Sequence, residues 1–158
     1  MSHPREAVIQ QLLATLHETL ALYDQPAEVL ARSYGPGKWT LRELLVHASD
    51  AETVLLERLK RLASENNPPL VAFDENLWAK HLKYAQRDLS LAKLQFEAAR
   101  RGVIELARTQ DAAVDARTGV HSEVGSLSFA TVLNKVAAHN AHHLEQCRAI
   151  VAGKTWTK

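Results

Sequence analysis

His139 and His143 lie four residues apart in the segment HNAHHLEQ, residues 139–146. Side chains at i and i+4 stack on one face of a helix. The stripe Val132, Val136, His139, His143, Cys147 and Ile150 advances in steps of 4, 3, 4, 4 and 3, so both imidazoles stand where the pattern asks for a hydrophobe. A second stripe, Leu44, His47, Ala51, Val54 and Leu55, puts His47 in the same situation. Neutral imidazole suits a borderline divalent metal such as zinc or nickel, and three protein ligands leave a coordination position open for chemistry. The competing reading is a polar core in which each imidazole has its own buried hydrogen-bond partner. The spacing brings His47 to the pair only if the second and fourth long helices are neighbours.

Other residues could serve such a centre. Asp50, three residues after His47, could orient an imidazole or handle a proton; the alternative is an exposed helix acid. His121, in the segment that enters the last helix, is the candidate loop base, or else a histidine that packs or caps. Gln146 is a candidate to brace His143. Cys147 is either a small buried hydrophobe or a fourth, soft ligand. His142 sits about a hundred degrees around the helix from His143 and faces a flanking groove or solvent. Trp39, Tyr34 and Trp78 are candidate aromatics for a pocket mouth, or packing lids. His3, His17 and His81 have no partner pattern and are assigned to surface or structural roles.

These side chains need helices to carry them. Apolar residues at Val8, Ile9, Leu12, Leu13, Leu16 and Leu20 predict a first helix over about 4–24. Pro26 interrupts it, and a short turn of helix follows through Leu30. After Gly35-Pro36-Gly37, Thr40 and Glu43 form a capping-box pattern, with Trp39 and Leu44 as a hydrophobic staple. That helix runs to about Leu62. A weaker pattern covers 74–86, and Ser90 is the candidate cap of a third long helix ending near Arg108. Residues 110–127 read as loop, Ser128 caps the fourth long helix, and Gly153 stops it. With no alternating strand run and no internal repeat, the reading is an all-α four-helix bundle with an extra short helix between its second and third long helices. Long connections of this kind often cover a site.

The bulk composition narrows the function classes. A chain of 158 residues fits one domain spanning 1–158. Net charge +1 argues against a nucleic-acid footprint, and the short basic runs at 58–61 and 100–101 sit beside acids on helix faces. The single cysteine excludes an internal disulfide and suits a reducing compartment. No apolar run approaches the ~18 residues of a membrane span, and the N-terminus lacks a secretory pattern, so a cytoplasmic protein is expected.

The ordered motifs resemble a known family. GKWTLRELLVHASDAE (37–52) is similar to the first motif of the DinB/YfiT-like proteins, with a Trp, a hydroxyl cap, an acid at the third helical position, and His followed by Asp three later. GVHSEVGSLSF leading into HNAHHLEQ resembles their second motif, and FDENLWAKHLKY (73–84) resembles an insertion of one branch. The resemblance implies an up-down-down-up connection of the four helices. It also implies a divalent metal on three histidines, which fall here on His47, His139 and His143. It further implies a small-molecule substrate, use by some members of a low-molecular-weight thiol, and frequent homodimers. The mycothiol-linked branch has a Glu where this chain has His139 and is less similar. The family name refers to DNA-damage induction, yet this charge balance gives no support for DNA binding. The function expected is a metal-dependent hydrolase or thiol S-transferase; the alternative is a non-catalytic, stress-related binding bundle.

Overall fold

All four apolar-periodic segments are helices in the computed structural model, which describes residues 4–157. They are α1 (Pro4–Leu22), α3 (Leu41–Ser64), α5 (Leu89–Thr109) and α6 (Phe129–Val151), with short helices α2 (Ala27–Leu30) and α4 (Glu75–His81) in the connections. His3 lies outside the described residues. The capping box of α3 is present: the Thr40 hydroxyl accepts from the Glu43 N–H, and the Glu43 carboxylate accepts from the Thr40 N–H at 2.8 Å. Ser128 caps α6 as expected, accepting from the Thr131 N–H. Gly153 ends it with φ +68°, its N–H and that of Lys154 returning to the Ile150 and Ala149 carbonyls.

The cap of α5 is Asp88 and not Ser90. Its carboxylate accepts from the Ser90 and Leu91 N–H groups at 2.9 and 3.1 Å. An anionic acceptor satisfies two free donors and also faces the positive end of the helix dipole, an advantage that a serine hydroxyl lacks.

α1 packs on α5 and α6, and α3 packs on the same two helices, so α1 and α3 are diagonal. The order is up-down-down-up, which makes α3 and α5 parallel. The chain must therefore travel back along the bundle between them, and this return carries β1 (Pro69–Leu70) and α4. The α5–α6 connection, expected to be loop, contains β2 (Thr118–His121) and β3 (Gly125–Ser128) as an antiparallel hairpin, with β1 parallel to β2. The expectation failed because the buried positions of β2 are Gly119 and His121, which give no alternating apolar signal. Gly119 is required there: a Cβ would stand 2.7 Å from the Pro68 carbonyl oxygen.

The bundle interior is two apolar clusters with polar residues between them. One contains Leu12, Leu59, Val103 and Val136; the other contains Leu16, Leu44, Phe96 and Leu144. On every long helix the change from one cluster to the other falls beside a polar side chain: Thr15 and Thr19 on α1, His47 and Glu52 on α3, Arg100 on α5, His139 and Asn140 on α6. No helix among the described residues is long and apolar enough to cross a membrane.

Candidate metal centre

α3 and α6 are neighbours, and this packing brings His47 to the α6 pair. The Nε2 atoms of His47 and His139 are 3.0 Å apart, and those of His139 and His143 are 3.2 Å apart. All three histidines offer a ligand atom within 4.8 Å of the others. A tetrahedral ion with Zn–N bonds of about 2.0–2.1 Å holds its nitrogens roughly 3.3 Å apart, close to these spacings.

The proton count supports a cation. His143 Nδ1 lies 2.7 Å from the Gln146 side-chain oxygen, which can only accept. Nδ1 therefore carries the hydrogen, and Nε2 presents a lone pair to the cluster. Filling both short contacts then requires one hydrogen on His139 Nε2 to serve two acceptors. A central cation meets all three lone pairs at once. Burial also keeps the rings neutral, as ligation requires. It lowers the pKa of His47 to about 3 and that of His139 to about 2, with nearby histidines adding to the effect. Burial also lowers His143, against the raising effect of Gln146.

Side chains from the long connections surround the cluster. Trp39 packs its ring 5.0 Å from His47, and Phe73 lies 6.5 Å away on the ring of Trp78. Two cavities flank the histidines. One, of ≈ 180 Å³, is lined by His139, Arg58, Lys135, His121, Glu75 and Glu123. The other, of ≈ 300 Å³, is lined by His143, His142, Gln146, Tyr34, Trp39 and Glu75. Glu75 thus belongs to both, and its carboxylate stands 3.6 Å from His47 Nε2.

Tyr34 and Trp39 line the larger cavity and His121 the smaller, and the Gln146 side-chain oxygen accepts from His143 Nδ1. Trp78 acts at one remove, through Phe73. Asp50 does not join the cluster: it accepts from Gln95 at 3.1 Å, lies 3.7 Å from Arg87, and lines neither cavity. The helix turns it toward α5, beside the Tyr84 hydroxyl. Burial, reinforced by this carboxylate, pushes Tyr84 well above the usual phenol range. Cys147 is buried among apolar side chains outside the cluster, and burial raises its thiol to about 12. His142 packs against His143 and Trp156, beside the cluster and not in it. Glu75, Arg58 and Lys135 were not identifiable as site residues from the sequence, because helical periodicity marks only the residues that face the core. The one signal for Glu75 was its place in the 73–84 segment.

The profile of the DinB superfamily matches residues 6–147. Two similar proteins come from Oceanobacillus iheyensis, each named "Putative metal-dependent hydrolase". One is 30% identical over 129 residues, covering 82% of this chain and 74% of the relative. The other is 27% identical over 133 residues, covering 81% and 73%. The solved structure of YfiT from Bacillus subtilis is described as "a probable metal-dependent hydrolase with an unusual four-helix bundle topology". It superposes with a TM-score of 0.84 at 20% identity, covering 98% of this chain and 91% of that one. The chain belongs to the DinB superfamily.

Proposed function

We propose that this DinB-superfamily chain is a metal-dependent hydrolase of a small molecule, with zinc or nickel held by His47, His139 and His143. The observation that carries the reading is the convergence of three neutral imidazole nitrogens, one of them aimed by Gln146. The names of the Oceanobacillus relatives agree with it. A divalent cation held there supplies Lewis acidity for a hydrolytic step. The protein supplies the rest. Trp39 and Phe73 shield His47 from water on two sides. Glu75, half-exposed and open to both cavities, is placed to take a proton from a nucleophilic water and return it to the leaving group. This assigns to Glu75 the proton-handling role that the sequence suggested for Asp50.

The test loads the protein with zinc or nickel and offers it esters and amides of small acids. A parallel arm offers a small thiol with an electrophile. Hydrolysis should disappear on chelation and return with metal. Glu75→Gln should lower kcat about 100-fold with unchanged metal content. Turnover confined to the thiol arm would replace hydrolysis with thiol transfer.

A further inference from the structure

We infer that the cavity beside His139 is a carboxylate subsite, in which Arg58, with Lys135 and His121, holds the anionic end of a small substrate next to the three-histidine centre. The inference rests on the metal reading for where reaction occurs, and it names the substrate class of that same site.

Arg58 is 4% exposed. Its guanidinium donates to the Val71 carbonyl at 2.7 Å, while its Nε is buried without a hydrogen-bond partner. Burial lowers its pKa and the carboxylates of Glu57 and Glu123 raise it, yet no described carboxylate forms an ion pair with it. A guanidinium does not shed its proton near neutral pH. Burying one without a directly paired carboxylate is therefore costly. A planar carboxylate relieves that cost through paired N–H···O bonds.

The same wall supplies further donors. His121 Nδ1 accepts from the Glu123 backbone N–H at 3.3 Å, which places the ring hydrogen on Nε2. Burial, Arg58 and Lys135 lower the pKa of His121, so the ring stays a neutral donor. Lys135 adds an exposed ammonium group. Glu75 and Glu123 also line the cavity, so a singly charged carboxylate suits it better than a phosphate dianion. A volume of ≈ 180 Å³ restricts the ligand to a small one.

The test is an NMR titration of ¹⁵N-labelled protein as purified, following the Arg58 Nε–H resonance with butyrate, butyramide and inorganic phosphate. Butyrate should shift the resonance saturably, butyramide should not, and phosphate should bind more weakly. Lys135→Gln, at an exposed position, should weaken butyrate about threefold. Arg58→Gln should weaken it at least about tenfold, read from backbone resonances of Ala72 and Phe73. Should that variant not fold, the wild-type titration still decides. An unmoved Arg58 resonance, or an equal response to butyramide, overturns the proposal. Tighter binding of phosphate overturns the carboxylate assignment. Metal content and uptake of added zinc or nickel, measured on the same samples, separate the two readings: butyrate binding by protein that neither holds nor takes up metal leaves the subsite and removes the metal centre, and the converse result does the reverse.

Discussion

The polar residues between the two apolar clusters are arranged differently toward α5 and toward α6. Toward α5, Arg100 is fully buried and closed on itself. Its Nε and NH2 donate to the two Glu52 oxygens at 2.5 and 3.0 Å, and its NH1 donates to the Leu12 carbonyl and Thr15 hydroxyl. Toward α6, His47, His139 and His143 face one another with too few hydrogens for their contacts, and Arg58 nearby keeps an unpartnered Nε. Arg100 and Glu52 find their partners inside the protein. The second region has cavities on both sides and groups that call for a cation and an anion. A satisfied buried pair is a structural device, whereas incompletely satisfied groups beside a cavity mark where ligands belong.

The sharpest way to break this contrast is to open the closed region. Arg100→Met leaves Glu52 buried alone and should cost about 3–5 kcal/mol in urea denaturation. Adding Glu52→Leu should recover most of that loss. A cost below about 1 kcal/mol for the single change would mean that the pair is not sealed.

Acid should act on the histidine region alone. In the metal-free protein, burial depresses the pKa of His47 to about 3 and of His139 to about 2, against about 6.5 unfolded. Their contribution to stability is complete above the unfolded value and is lost as pH falls from 6.5 toward 3. By linkage the loss at pH 5 is up to roughly 2 kcal/mol per histidine. Glu52 shifts the other way, raised by burial against the lowering effect of Arg100, so acidification to pH 5 does not weaken that region. Denaturation curves at pH 7 and pH 5, for chelated wild type and His139→Gln, check this. The variant should lose less.

A smaller effect isolates the bracing of His143. Gln146→Leu removes the acceptor that fixes the ring hydrogen, and should weaken metal binding about 10–100-fold with the fold intact. Competition with a chromogenic chelator measures it. Unchanged affinity would mean that Gln146 only packs.

The histidines were legible in the sequence because a helix repeats every 3.6 residues and all three replace hydrophobes on that repeat. The caps at Thr40 and Ser128 were legible for a similar reason, being local hydrogen-bond patterns. Glu75, Arg58 and the β2–β3 hairpin depend on where the return connections lie on the bundle. Glu75 reaches His47 across a loop, and β2 finds β1 only after the chain has traversed α5. Asp50 shows the limit of spacing: three residues from His47, it turns toward Gln95 and Arg87 because α3 presents that face to α5.

The most direct measurement is elemental analysis of protein purified without a nickel column, wild type beside His139→Ala. The account predicts about one divalent ion per wild-type chain, zinc or nickel, and none in the variant. Wild type that is folded, metal-free and unable to take up added zinc or nickel would contradict it and leave the three histidines as a polar core.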